Sequence, residues 1–152
     1  MNIKSKKEAL AESMAELTCE LAKTCNDKEN YFASLFNLTP AEFKCLRLFT
    51  KTNSLTIKTI SILMNLTPGR ITHILTSLEK KKFIKRKTDP YDKRNVIVTL
   101  TSNSEPFLKN LNANHIKLHE EILADVSEDK QDDMISAMKQ LIIALKTWSA
   151  KI

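Results

Sequence analysis

Residues 66–101, LTPGRITHILTSLEKKKFIKRKTDPYDKRNVIVTLT, decide the fold of this 152-residue chain. Thr67 and Pro68 mark a helix start, because threonine caps a helix through its side-chain oxygen and proline is favoured at the first helical position. Apolar residues then follow the helical period at Ile71, Ile74, Leu75 and Leu78. The pattern predicts a helix from residue 68 to about residue 81 with one apolar face.

A shorter helix is predicted immediately before this one. Thr56 can cap it, and Ile57, Ile60 and Met64 would form its inner face. A connection of only three residues, 65–67, then leads into the helix that begins at residue 68. Two helices joined by so short a turn indicate a helix-turn-helix.

Beyond the second helix the apolar spacing changes from the helical period to a period of two. Phe83–Thr88 and Val96–Thr101 are predicted strands, with Val98 at the centre of one apolar side. The polar segment 89–94 between them supplies a turn, so the two strands form a β-hairpin. A helix-turn-helix followed at once by a basic hairpin is typical of a winged helix.

The rest of the chain is predicted to be helical, since it has only one glycine and four prolines. A first helix over residues 5–24 is expected to be interrupted at Cys25–Asn30. Thr39–Glu42 starts a second helix that ends near Lys51. Two further helices are expected after residue 102. The predicted fold class is therefore mainly α with a small β-hairpin wing (α+β).

The outer helices are predicted to mediate dimerisation within a single domain, residues 1–152. They occupy residues 1–38 and 102–152, on either side of a winged helix-turn-helix lobe at 39–101, and are too long to pack on that lobe alone. An apolar face left over at both ends suggests a second copy of the chain. The residues expected in that contact are Leu10, Met14, Leu17, Leu141, Leu145 and Trp148.

The net charge of +6 lies within one segment. Residues 67–101 hold nine basic and three acidic residues, whereas the remaining residues balance to zero. Such a concentration attracts a polyanion, either nucleic acid or an anionic membrane surface, although a merely solvated basic face is the alternative. No stretch of 18 uncharged apolar residues or secretory signal occurs, so we expect no membrane partner and a cytoplasmic protein.

Candidate contacts to duplex DNA follow from the predicted geometry, in which a recognition helix reads bases with its first turns. Arg70 suits paired hydrogen bonds to guanine, and Asp92 and Asp89 are expected to hold Arg94 and Arg86. The alternatives are ordinary solvated residues and surface ion pairs of about 0–1 kcal/mol. The full candidate set is Thr56, Thr67, Pro68, Gly69, Arg70, Thr72, His73, Arg86, Lys87, Asp92, Lys93 and Arg94.

These residues resemble the MarR family of prokaryotic transcription regulators. The likeness is clear over residues 39–101 and includes the wing signature Asp92-x-Arg94 and the strand end Val98–Thr101. It implies a triangular homodimer on a pseudo-palindromic operator, usually a repressor, relieved by a small-molecule effector. The family places glycine where Lys82 stands, so a helix end there needs a left-handed lysine at about 1 kcal/mol.

The sequence fits other functions less well. Cys19, Cys25 and Cys45 are predicted to be structural thiols, with an oxidant sensor as the alternative. His115 and His119, one helical turn apart, can bind a metal, but we expect no metal and no cofactor. A winged-helix module that binds acidic proteins is a further alternative. The chain has neither a glycine-rich phosphate loop nor a nucleophile–base pair at recognisable spacing, so we expect no enzyme.

Overall fold

A computed structural model describes residues 5–102 and 104–152. The fold class is confirmed, since six helices and a small antiparallel sheet account for the described elements. Two compact units make up the chain: one ends at Asn112, and the other runs from Ala113 to Ile152. In chain order the elements are α1 (Lys6–Leu35), α2 (Pro40–Arg47), β1 (Ser54–Thr56), α3 (Ile57–Met64), α4 (Pro68–Lys80), β2 (Ile84–Thr88), β3 (Val96–Leu100), α5 (Ser104–Ala124) and α6 (Glu128–Ser149).

Threonine caps begin α2, α3 and α4 as the sequence predicted. The side chains of Thr39, Thr56 and Thr67 each accept a hydrogen bond from the backbone amide three residues ahead, at 3.2, 3.1 and 3.4 Å. Glu42 completes a capping box in α2, because its carboxylate accepts from the Thr39 amide at 2.8 Å. These caps fix where each helix of the lobe starts.

Three helices end on a left-handed residue that is not glycine: Asn37, Asn65 and Lys82, with φ of 54°, 52° and 63°. In each case the next amide donates to the carbonyl five residues earlier, which is the Schellman pattern. Lys82 therefore takes the left-handed conformation that the predicted helix end requires. A lysine in place of glycine at residue 82 strains the backbone, but α4 still ends just before it.

The sheet has the order β1–β3–β2, with both pairings antiparallel. Pairing of β2 with β3, from Ile84 opposite Leu100 to Thr88 opposite Val96, confirms the predicted hairpin. β1 was not predicted, because three residues are too few to show a period. Since Thr56 both ends β1 and caps α3, this strand ties β3 to the start of the helix-turn-helix.

The predicted break in the first helix is wrong. α1 runs without interruption from Lys6 to Leu35. The segment 25–30 contains asparagine and aspartate, which lower helix propensity by only about 0.7 kcal/mol or less each, and no glycine or proline. Buried Phe32 and Ala33 anchor the far end of the helix. The second helix is also shorter than predicted, because it ends at Arg47 and continues as the 3-10 turn Leu48–Thr50.

The core of the first unit forms around one face of α4. Four of its apolar residues are buried, and Phe43 of α2, Ile60 of α3 and Val98 of β3 are fully enclosed with them. Burying side chains of this size contributes about 1.5–3 kcal/mol each. α4 is thus fixed by one face while the other remains open. Among the described residues, no helix is long and apolar enough to cross a membrane.

Candidate nucleic-acid interface

The start of α4 is open to solvent, which is the condition for its entry into a groove. The exposed residues there are those that the sequence singled out: Thr67, Pro68, Gly69, Arg70, Thr72 and His73. The guanidinium of Arg70 forms no ion pair with any residue that the structure describes. Its five donors are therefore free for a ligand.

Gly69 and Thr72 differ in how far the protein already uses them. A Cβ built on Gly69 would meet no atom within 4 Å, so the fold itself does not require glycine at this position. The Thr72 hydroxyl donates to the Pro68 carbonyl at 2.9 Å. Thr72 can consequently offer an oxygen lone pair to DNA, but its proton is committed to the helix.

The turn at the end of the hairpin holds Arg94 in a defined place. Oδ1 of Asp92 accepts from the backbone amide and from Nε of Arg94, at 3.1 and 3.2 Å. Oδ2 of the same carboxylate accepts from the side-chain Nδ2 of Asn95 at 3.3 Å. The Arg94 side chain is nevertheless 91% exposed. The predicted Asp92–Arg94 pair is confirmed, and it orients the guanidinium while leaving its outer nitrogens available.

The predicted pairing of Arg86 with Asp89 is wrong. Arg86 Nε and Nη2 both donate to Glu79 Oε2, at 3.0 and 2.5 Å, and the Arg86 amide donates to Glu79 Oε1 at 3.1 Å. Asp89 instead accepts from the Tyr91 amide at 2.8 Å, which shapes the turn. The hydrogen bond from Arg86 lowers the pKa of Glu79. Arg86 therefore joins α4 to β2, and its guanidinium is already occupied.

Two hollows flank the start of α4. One is lined by Thr56, Lys58, Pro68 and Arg94, so it brings together the starts of both helices and the hairpin turn. Lys58 was not predicted as a site residue, because it lies outside the segment 67–101 in which the basic residues were counted. The signal available in the sequence was a basic side chain two residues after the helix cap Thr56.

The second hollow lies on the other flank of α4. Gly69, Arg70 and His73 line it together with Thr39 and Ala41 of α2. The candidate residues of α4 are thus divided between two sides of one helix. Thr67 serves as the cap of α4. The predicted site residues that line neither hollow are Thr67, Thr72, Arg86, Lys87, Asp92 and Lys93.

The positive charge that remains available is smaller than the sequence suggested. Lys81 and Arg86 are neutralised within the protein by Glu42 and Glu79. Lys87 and Lys93 of the hairpin are exposed and form no ion pair with a residue in the described ranges. The exposed bases of segment 67–101 that form no ion pair with a described residue therefore lie at three places: Arg70 at the start of α4, Lys80 and Lys82 at its end, and Lys85, Lys87 and Lys93 in the hairpin.

The remaining chemistry-bearing residues lie elsewhere. Cys19 is exposed, Cys25 is half-buried and Cys45 is buried. Burial raises the pKa of the Cys45 thiol to about 12, with a further contribution from the charge of Glu42. The rings of His115 and His119 meet edge to face, with centroids 4.5 Å apart. In residues 5–102 and 104–152, no group of three or more His, Cys, Asp or Glu side chains is arranged to hold a metal.

Comparisons with known proteins find similarity to one family of transcription regulators. The model of the MarR family matches residues 38–96. The HTH-type transcriptional regulator SarZ of Staphylococcus haemolyticus is 26% identical over 133 residues, which are 88% of this chain and 89% of SarZ.

Solved structures establish the likeness of fold. Wild-type MarR from E. coli in its apo form superposes with a TM-score of 0.73 at 20% identity, covering 93% of this chain and 98% of that one. A mutant MarR from E. coli complexed with operator DNA gives a TM-score of 0.70 at 22% identity, covering 85% and 93%.

Proposed function

We propose that this chain, which is similar to MarR-family winged-helix transcription regulators, is a DNA-binding repressor of that family and binds a pseudo-palindromic operator as a homodimer. It is a regulator rather than an enzyme, as its relatives are. The observation that carries the proposal is the hollow where Arg94, Pro68 and Thr56 meet beside an exposed helix start. Cytoplasmic location follows from the same role, because a regulator must reach chromosomal DNA.

The exposed residues have two proposed roles: some contact the edges of DNA bases, and others contact the DNA phosphates. Arg70 reads guanine through paired hydrogen bonds in the major groove, and Arg94 enters the minor groove, where a narrow groove concentrates negative potential. Lys87 and Lys93 neutralise phosphates. The other proposed contacts are Thr56, Thr67, Pro68, Gly69, Thr72 and His73, with Asp92 orienting Arg94. Arg86 receives a supporting role, because Glu79 occupies its guanidinium.

The homodimer is supported by apolar surface on the outer helices. Leu10, Met14 and Leu17 of α1 are 62%, 48% and 64% exposed. None of the 22 residues of α6, every one of which the structure describes, is fully buried in the single chain. Leu145 and Trp148 are exposed there, and Leu141 is half-buried. A second copy covers such faces symmetrically and places two α4 helices on two half-sites.

Relief by a small molecule completes the proposal. It rests on the resemblance of residues 39–101 to MarR proteins. An effector acts only if it binds the DNA-free form more tightly than the DNA-bound form. Release of operator by a candidate effector, at unchanged affinity for non-specific DNA, is the expected signature.

Binding to fragments selected from the source genome tests the function. We expect log affinity to fall linearly with log salt concentration, because each phosphate contact releases counterions. Arg94→Ala should weaken operator binding by about 1–3 kcal/mol with the oligomeric state unchanged. Unchanged affinity in this variant would refute the role of Arg94. Retardation of no duplex at low salt, with a stable protein complex recovered instead, would favour a protein-interaction module.

A further inference from the structure

Lys81 lies in the basic run 80–82, yet its ammonium group is turned into the protein. Nζ donates to Glu42 Oε2 at 2.8 Å and to the carbonyl oxygen of Asn37 at 2.8 Å. Glu42 is only 2% exposed, and the Ser77 side chain also donates to it. Three basic residues of segment 67–101 form ion pairs with described residues, and of these Lys81 and Arg86 have mostly buried side chains, whereas Arg94 is exposed.

This contact joins the ends of three helices. Asn37 follows α1, Glu42 lies in the first turn of α2, and Lys81 follows the last residue of α4. Burial alone raises the pKa of Glu42, but hydrogen bonds from Lys81, Ser77 and the Thr39 amide hold the pKa below its ordinary value. The carboxylate therefore stays ionised and keeps its hold on the ammonium group at neutral pH.

We propose that Lys81 is a positioning residue for operator recognition, which fixes the C-terminal end of α4 against α2 and contacts no phosphate. The inference rests on the proposed function, because it assigns a role within the same DNA-binding surface. It also separates Lys81 from the exposed lysines around it, which sequence alone treats as equivalent.

The length of α4 explains why its far end matters. Thirteen residues span about 20 Å, so a tilt of about 3° around the C-terminal end moves the start of the helix by about 1 Å. Paired hydrogen bonds from Arg70 to a base edge tolerate little displacement of that size, whereas attraction to phosphates tolerates it readily. Loss of the Lys81 contact should consequently reduce specific binding and spare non-specific binding.

The test compares Lys81→Met with Lys87→Met in the full chain, measuring affinity for operator and for unrelated duplex over a range of salt concentrations. For Lys81→Met we expect operator affinity to fall roughly tenfold, with unrelated duplex and the salt slope unchanged. For Lys87→Met, which removes one exposed charge from each copy of the proposed dimer, both affinities should fall and the slope should decrease by about 1.8. Lys81→Arg, which keeps a charged donor, should restore most of the operator affinity.

A double variant separates a loss of operator recognition from a loss of folding stability. Lys81→Met leaves Glu42 buried without its cation, which destabilises the lobe. Glu42→Gln/Lys81→Met removes that charge and keeps a capping box, since glutamine also serves at this helix position. We expect the double variant to regain thermal stability without regaining operator affinity.

Each other outcome decides against the inference. A slope lowered by about 1.8 in Lys81→Met, with both affinities reduced alike, would identify an ordinary phosphate contact in each copy. Operator affinity unchanged in Lys81→Met, or restored in the double variant, would show that the contact serves stability only. If the unaltered chain prefers no genomic fragment over unrelated duplex, the proposed function itself fails and takes this inference with it.

Discussion

Gly69 is the one glycine of the chain, and a Cβ added there would meet no atom within 4 Å among the residues that the structure describes. We expect Gly69→Ala to raise the free energy of unfolding by about 0.5–1 kcal/mol, because alanine favours the helix. We also expect weaker operator binding by about 1 kcal/mol or more, because the methyl group would stand where a base edge or phosphate approaches. Chemical denaturation and fluorescence anisotropy measure the two effects.

The two measurements on Gly69→Ala separate two roles. Greater stability with unchanged affinity would show that glycine is incidental here. Ser102→Ala is a suitable control, since Ser102 is exposed and lies away from both hollows beside α4. Its affinity should match that of the unaltered chain.

At the scale of elements, two carboxylates connect α4 with its neighbours. Buried Glu42 of α2 accepts a hydrogen bond from Lys81, which follows α4, and half-buried Glu79 of α4 accepts from Arg86 of β2. Hydrogen bonds lower the pKa of both below the ordinary value of 4.5. A group whose pKa is depressed by folding adds stability above its unfolded pKa and loses it as the pH falls through the folded pKa. We therefore expect the free energy of unfolding to decrease below about pH 4.5.

Glu42→Gln tests which carboxylate dominates that decrease. Glu42 is buried, whereas the Glu79 side chain is 38% exposed and its ion pair is screened by solvent. Urea denaturation from about pH 3 to pH 6 should give a flatter pH dependence for Glu42→Gln than for Glu79→Gln. Equal dependence in the two variants would contradict the dominance of Glu42.

The sequence predicted those elements whose signals are local. Thr39, Thr56 and Thr67 could be predicted as caps because each lies only three residues before the backbone amide that donates to it. β1 escaped prediction because its pairing with β3 crosses more than 40 residues and shows no period of its own. The break expected in α1 failed because tertiary burial of Phe32 outweighs weak local propensity.

The candidate site was predicted to a similar extent. The Asp92–Arg94 pair spans two residues of one turn, so its partner could be inferred from the sequence. The partners of Arg86 and Lys81 could not, because each depends on how α4 packs against another element. The net charge counted for residues 67–101 already included Glu79, the partner of Arg86, but it missed the pairing of Lys81 with Glu42, which lies outside that segment.

At the scale of the whole molecule, the net charge of +6 and most of the exposed large apolar residues belong to different parts of the chain, since of the latter only Tyr91 lies in residues 67–101 of the described chain. The charge lies in residues 67–101, whereas the apolar residues in question belong to α1 and α6. This separation is what a regulator requires if one surface binds DNA and another binds a second copy. The two surfaces should consequently respond to different substitutions.

Leu145→Glu is the prediction that tests this separation. Leu145 is 45% exposed on α6, and a carboxylate placed there would lose its hydration in a symmetric contact and face its own copy. We expect sedimentation equilibrium to give twice the 17.3 kDa of one chain for the unaltered protein and a value near that of one chain for the variant. Lys139→Glu, which adds a carboxylate at an exposed polar position of α6, is the control and should remain dimeric.

Operator binding then reports how the two copies cooperate. In the dimer, binding of one half-site raises the effective concentration of the second lobe at the other, so loss of the dimer should weaken full-operator binding by roughly 100-fold or more. A single half-site should bind the variant and the unaltered chain equally, because the lobe is intact. A mass of one chain for the unaltered protein at micromolar concentration would remove the homodimer from the proposal. A half-site weakened by Leu145→Glu would instead show that α6 supports the lobe itself.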